Sequence, residues 1–552
     1  MTQKTSPNTN QTNPTSPSLE EQKTAKSSSG AILVAIGIFL SRIAGLLRER
    51  IFASYFGNSD AGDAFKSALK IPNILQNLFG EGVLSASFIP VYSGLIAKEK
   101  QVEASRLAGI VISLLTVITS ILVLLGVYLA PLLIDLISPG FEGAKRLLTI
   151  RLVQIFFPGT ALLVLSAWCL GILNSHRKFF LSYAAPVLWN AAQIAALLIF
   201  GSSSQVEDLA IKVAWALVLG SALQFAIQLP VVLPLLKRLE LGISFRAEPV
   251  REVVKNFLPV LVARGVVQIS GYTDNLIATL LPTGAVSSIT YAQILYTLPV
   301  SLFGMSVSAA ELPAMSSVTG STEDIAKALQ KKLNDGLQRI AFFVIPSAVA
   351  FLALGDIIVA AIYQTGRFSP KDTIYVWTVL AAFAIGLLAA TFGRLYSSTF
   401  YALHDTQTPF RFAVIRIALS IILSYIFALK VPVWLNIESS WGTIGIALSS
   451  ALTGWLELAL LRRSLNKRIG HTGLGWGLGA KLWTAAIFGA TLSWGVKLLV
   501  GNRHPIIMGI VVLAPYGMTY FVLTWILGIA EIRKVTKKFE RFLPAKVKRY
   551  LT

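Results

Sequence analysis

Apolar runs of membrane-spanning length recur along nearly the whole chain, and that recurrence leaves few folds open. A spanning helix needs about 20 mostly apolar residues. On that measure about fourteen runs qualify: 31–56, 62–97, 104–137, 147–173, 180–201, 208–237, 251–281, 284–317, 325–364, 371–402, 408–430, 441–465, 476–500 and 505–530. Inside a bilayer the backbone must satisfy its own hydrogen bonds, so such runs read as helices. Composition agrees, because only 14% of the 552 residues are charged, against roughly 25% in soluble domains. The expected fold class is an all-α polytopic membrane protein.

The loops between runs alternate in charge. Every second loop is basic, holding Lys98, Lys100 and Arg106; Arg177 and Lys178; Lys237, Arg238, Arg246 and Arg251; Lys327, Lys331 and Lys332; Arg411; and Arg462, Arg463, Lys467 and Arg468. The others, such as GNSDAGD, GSSSQVED and PTGA, are short and poor in Lys and Arg. The positive-inside rule puts the basic loops in the cytoplasm, and an even helix count then puts both termini there. The same rule accounts for the net charge of +21 and sets nucleic acid aside as a partner. Residues 1–30, rich in Ser, Thr, Asn, Gln and Pro, read as a disordered cytoplasmic tail. Residues 531–552 read as a basic cytoplasmic tail suited to an anionic membrane surface.

A weak repeat divides the chain. Leu78-Phe79-Gly80 followed by Ile89-Pro90 recurs as Leu302-Phe303-Gly304 followed by Leu312-Pro313. The copies lie in helices 2 and 8, an even number of crossings apart, so they insert in the same direction. That is the parallel transporter repeat. It gives an N-terminal lobe of helices 1–6 over 31–240 and a C-terminal lobe of helices 7–12 over 241–470. A central cavity lies between them, and helices 13 and 14 follow over 471–530.

Two of the first helices carry charges where a bilayer resists them. A charge at mid-bilayer costs about 2.5–3.5 kcal/mol on insertion scales, so it must face protein or a wet cavity. Helix 1 holds Arg42, Arg48, Glu49 and Arg50. On helix 2, Lys66, Lys70, Asn73, Asn77 and Glu81 follow at helical spacing on one stripe. Helix 7 adds Arg264, Gln268, Asp274 and Asn275. Any one charge could simply pair off inside the bundle. The set is different: Arg42, Arg48, Arg50, Lys66, Lys70 and Arg264 outnumber Glu49, Glu81 and Asp274. A positive cavity wants an anion, and guanidinium forks suit phosphate.

No GxxxxGK[ST] loop appears, the four histidines are scattered, and Cys169 is the single cysteine. A nucleotide-driven pump, an enzyme and a resident cofactor are therefore not expected. Transport would draw on an ion gradient such as Na+, on the membrane potential, or on consumption of the product.

The segments SRIAGLLRERIFASYFG and DAFKSALKIPNILQNLFGEGVLSASFIPVYS resemble the signature of the MurJ (MviN) lipid II flippases, within the multidrug, oligosaccharidyl-lipid and polysaccharide exporter superfamily. FFPG, LGILNSHRKF, QLPVVLP, YQTGRF and YALHDTQTP extend the resemblance along residues 30–530. It implies a V-shaped, cation-lined cavity and a groove on helices 13 and 14 for a polyprenyl tail. The implied substrate is undecaprenyl-pyrophosphoryl-disaccharide-pentapeptide, moved from inner to outer leaflet of the bacterial plasma membrane for peptidoglycan synthesis. Partners would be lipid II, membrane lipids and, as candidates, cell-wall synthesis proteins. The implied substrate residues are Arg42, Arg48, Glu49, Asp63, Lys70 and Glu81, beside which Asn73 and Arg264 come from the charged pattern. Two positions depart from the family. Gln76 and Ile294 stand where relatives commonly carry Arg, and Arg264 is the candidate to supply the second missing charge. Asp274 falls at a position resembling the family's proposed sodium site, although helix 11 offers only Ser420 and Ser424 opposite it. The gaps leave open another polyprenyl-pyrophosphate-linked saccharide as cargo.

Overall fold

The structure is a computed structural model that describes residues 19–237, 239–244, 247–501 and 503–532. The side chains of 19–35, 81, 258, 260 and 262–271 are outside that description. The expected basic tail therefore falls almost wholly outside it.

Among the described residues the regular structure is helical, with no strand. The first half runs α1 (Leu19–Phe56), α2 (Asp60–Phe79), α3 (Glu81–Ala97), α4 (Gln101–Tyr128), α5 (Ala130–Ile137), α6 (Gly143–Ser175), α7 (Phe179–Ala184), α8 (Pro186–Phe200) and α9 (Val206–Val232). The second half runs α10 (Glu248–Thr279), α11 (Ala285–Pro299), α12 (Ser306–Ser316), α13 (Thr322–Ala353), α14 (Gly355–Tyr363), α15 (Pro370–Ile385), α16 (Leu387–Ala402), α17 (Gln407–Tyr425), α18 (Val431–Trp434), α19 (Gly442–Ile469), α20 (Trp476–Val500) and α21 (Pro505–Ile526).

Among the described residues, 11 segments are long and apolar enough to cross a membrane, or 12 if the bent pair α15–α16 is one span. The count of fourteen is not reached on that criterion. The two expected spans that do not meet it are α1 and α10, which carry ionisable residues along their length and include undescribed side chains. A second difference is the start of α1. It begins at Leu19, inside the stretch expected to be a disordered tail.

Several expected spans are divided, two of them at the repeated motif. Run 62–97 becomes α2 and α3, interrupted at Gly80, where an added Cβ would meet the Gln76 carbonyl oxygen at 2.2 Å. Run 284–317 becomes α11 and α12, joined through a π-helical segment, Val300–Met305. Both breaks fall on the repeated Leu-Phe-Gly. Sterics explain the glycines: at Gly304 an added Cβ would lie 2.9 Å from the Thr391 side chain.

In the first half, α6 packs against α2, α3, α4 and α9, and α8 lies between α1 and α9. Trp168, fully buried, donates from its indole to the Ala108 carbonyl at 3.1 Å and pins α6 to α4. In the second half, α19 packs on α15, α16 and α17, while α13 meets α16 and α20. α21 is tied to α13 by Tyr516 and Tyr520, whose hydroxyls donate to the carbonyls of Pro346 and Phe342 at 2.6 Å each. α10 packs against α2 and α3 on one side and α17 on the other, so it bridges the halves.

The loop between α16 and α17 carries a pH-sensitive clamp. Asp405 accepts from the Thr408 hydroxyl at 2.7 Å and its backbone N–H at 2.9 Å, and pairs with Arg468 of α19 at 2.6 Å. The Thr408 bonds, with Arg468 beside them, hold this carboxyl down at about 2. An unfolded Asp titrates near 3.9. The clamp is therefore fully present above pH ~4 and lost as pH falls toward ~2. Melting curves of wild type and Asp405→Asn should differ at pH 6 and converge on acidification through this window.

Candidate substrate cavity

α1 and α2 build the site around one carboxylate. Glu49 is 5% exposed. One of its oxygens takes Arg48 at 2.5 Å, and the other takes Lys66 of α2. Lys66, itself 4% exposed, lies 4.2 Å from the Phe52 ring centroid and 5.3 Å from that of Tyr291. The Arg48 guanidinium covers Trp189 of α8 at 4.7 Å. Two cations sharing one acid at this depth avoid the cost of an isolated buried charge. One donor is left over, because Arg48 Nη1 is buried without a hydrogen-bond partner. Trp189 Nε1 and Asn190 Oδ1, next to it, are also buried and unpartnered. Such groups are usually satisfied by water or ligand.

Two cavities flank this cluster. The first, about 570 Å³, is lined on its polar side by Arg42, Gln76, Ser166, Ser182, Asn190 and Gln224. The second, about 360 Å³, lies between α1 and α11 and is lined by Arg42, Arg48, Glu49, Thr290, Gln293 and Ile294. Arg42 is common to both. Its Nη1 donates to Ser301 Oγ at 2.8 Å, in the π-helical break after α11. Gln76 faces the first cavity and Ile294 the second, so the two substitutions expected as gaps open onto these spaces.

Other expected residues are placed differently. Asp63 lines neither cavity. It is 1% exposed, accepts from the backbone N–H of Gly284 at 2.7 Å and Ser287 at 2.8 Å, and pairs with Lys145 at 2.9 Å. Its carboxylate is saturated as a latch between α2 and the start of α11. Lys66 is locked in the Glu49 pair rather than open to the cavity. Arg50 donates to the carbonyls of Ala361 and Ile362 at 2.6 and 2.9 Å, fastening α1 to α14. The positive excess therefore concentrates on Arg42 and Arg48. Lys70 is half-buried, its carbonyl accepting from Tyr272 at 2.8 Å, and Asn73 is exposed. The side chains of Glu81 and Arg264 lie outside the described residues. Asp274, on α10, is 9% exposed, and the neighbouring Asn275 donates to Ser67 of α2 at 3.1 Å. Arg416 of α17 pairs with Glu457 at 3.0 Å. Ser420 and Ser424 are buried, and Ser424 is taken by Ser449.

Sequence reasoning missed Trp189, Asn190, Gln224 and Ser301. Asn190 and Gln224 left a trace, being amides inside apolar runs. Trp189 and Ser301 left none.

A bundle of apolar helices enclosing polar, arginine-bearing cavities defines a polytopic membrane transporter. A family profile described as "Lipid II flippase MurJ" matches residues 52–513. The chain belongs to this family. A "Probable lipid II flippase MurJ" of Rhizobium tropici is 30% identical over 92% of this chain and 95% of its own length. A solved structure of "Lipid II flippase MurJ, inward closed conformation" is 27% identical, covers 90% of this chain and 98% of its own, and superposes with a TM-score of 0.73. An inward-facing multidrug resistance MATE transporter of the MOP superfamily shares the fold at a TM-score of 0.61 and 15% identity, over 79% of this chain and 98% of its own.

Proposed function

We propose that this chain is a lipid II flippase of the bacterial inner membrane, a transporter rather than an enzyme. The observation that carries the reading is Arg42, a single guanidinium joining two polar cavities, with the unpartnered Arg48 Nη1 close by. Forked donors of this kind suit a pyrophosphate. The cargo would be undecaprenyl-pyrophosphoryl-disaccharide-pentapeptide, carried from inner to outer leaflet by alternating access, with both termini cytoplasmic. Arg42, Arg48, Gln76 and Asn190 would meet the head group, and Glu49 would position Arg48. Asp63 would hold α2 to α11.

Of the expected drives, the membrane potential is favoured over Na+. The buried hydroxyls of Ser420 and Ser424 stand where further carboxylates would be needed for a hard cation.

A second cargo, another polyprenyl-pyrophosphate-linked saccharide, is favoured by one observation: Gln76 and Ile294 line the cavities in place of cations. Complementation separates the two. The chain should restore growth to cells depleted of their own lipid II flippase. Failure to do so, from a protein that inserts normally, would favour the other cargo.

A further inference from the structure

A third space lies away from the cavities just described and shares no lining residue with them. It is about 390 Å³ and opens between α16, α19 and α20. Its walls are apolar and aromatic, from Phe392, Tyr396, Trp455, Leu458, Trp476 and Trp483, and Arg462 closes one end. Beyond Arg462 a second pocket, about 450 Å³, is formed by Ala459, Arg462, Arg463, Asn466 and Lys467. Arg462 belongs to both, so an apolar slot and a cationic basin meet at one guanidinium.

The basin is built. Arg462 Nε donates to the Thr472 carbonyl at 2.8 Å. Thr472 is 1% exposed and is held by the Asn466 side chain and by Tyr396, whose hydroxyl lies 3.0 Å away. Asn334 accepts from the Gly473 N–H at 3.0 Å. The guanidinium lies so close to Gly473 that an added Cβ there would be 2.6 Å from Nη2. The nearby acid Asp405 is already paired with Arg468. Among the described residues, Arg462, Arg463 and Lys467 have no carboxylate partner.

The loop between α19 and α20 joins two spans, so the site sits at a membrane surface, on a basic face. Tryptophans settle at the headgroup level of a bilayer, with the ring in the apolar boundary and the N–H toward water. Trp476 is 95% exposed at the mouth of the slot, a costly place for an indole in water and a favourable one against lipid. Unpaired cations at this depth attract anionic headgroups. We propose that this slot and basin bind one anionic phospholipid, its phosphate on Arg462, Arg463 and Lys467 and one acyl chain among Trp455, Trp476 and Trp483.

The test uses full-length protein in an uncharged detergent and reads tryptophan fluorescence. Phosphatidylglycerol with brominated acyl chains should quench at concentrations at least tenfold lower than brominated phosphatidylcholine. Each cation near a membrane surface contributes enough for about a fivefold change in affinity. Arg462→Gln with Arg463→Gln should therefore remove most of the preference, with an unchanged melting curve in the absence of lipid. Lys467→Gln removes a third, exposed charge of the basin and should weaken phosphatidylglycerol in the same direction. Equal quenching by the two lipids overturns the proposal, as does a preference that survives both variants. Full relief of quenching by millimolar inorganic phosphate would show a free-anion pocket and overturn it as well.

Discussion

Arg42→Ala should lower translocation of lipid II in reconstituted vesicles by at least about thirtyfold, while the protein's melting temperature stays put. The two halves of that expectation have separate physical grounds. Arg42 is exposed at the cavity surface, and its described hydrogen bond is the one to Ser301. Truncation of an exposed side chain away from buried features costs within about 0.5 kcal/mol of stability. The transport cost is larger. A cation truncated opposite a bound anion in a desolvated site costs about 2–5 kcal/mol, or about thirtyfold and upward. Gln76 and Ile294, on the cavity walls, offer no cation to compensate. Arg42→Lys should recover only part of the loss, because an ammonium restores the charge and not the fork. Full translocation by Arg42→Ala would remove the guanidinium from the mechanism, and a collapsed melting curve would make the residue structural instead.

The charges of α1 and α2 show how far residue order reaches. Their cost in lipid singled out the two helices, and the structure places Arg42, Arg48, Glu49 and Gln76 around adjoining cavities. The repeated Leu-Phe-Gly was legible as well, and both copies mark a broken span. What a helical stripe cannot give is its direction. Lys66 and Lys70 share a stripe at one turn's spacing, yet Lys66 is buried against Glu49 and Lys70 is only half-buried. Nothing local in the sequence separates them, because the difference is where α1 crosses α2. Arg50, counted in the positive excess, and Asp63, implied by the resemblance, are bound outside the two cavities. Their backbone partners, Ala361, Ile362, Gly284 and Ser287, lie more than 200 residues away, and Asp63 pairs besides with Lys145. A carbonyl or an N–H leaves no mark in a sequence, so a charge bound to one reads as free. The helix count suffered from the site itself, since ionisable groups lower the apolar signal of α1 and α10.

Glu49→Ala should be the most destabilising single change in the first two helices. The residue neutralises two cations at once, and Lys66 has no other carboxylate among the described residues. Removing it leaves an ammonium 4% exposed among Phe52 and Tyr291. Cation–π contacts contribute about 0.5–2 kcal/mol and cannot offset the loss of a buried counter-ion, which costs about 3–5 kcal/mol. At about 2–4 °C per kcal/mol for a chain of a few hundred residues, the melting midpoint should fall by on the order of 10 °C. The double variant Glu49→Ala with Lys66→Met separates stability from transport. Replacing Lys66 as well removes the uncompensated buried ammonium, so most of the lost midpoint should return, the remainder reflecting Arg48, which still lacks its carboxylate. Translocation should stay low in the double variant, because Arg48 has then lost the carboxylate that fixes its guanidinium over Trp189. A single variant as stable as wild type would mean that Lys66 finds another partner or sheds its proton. A double variant that transports normally would leave Glu49 a purely structural residue.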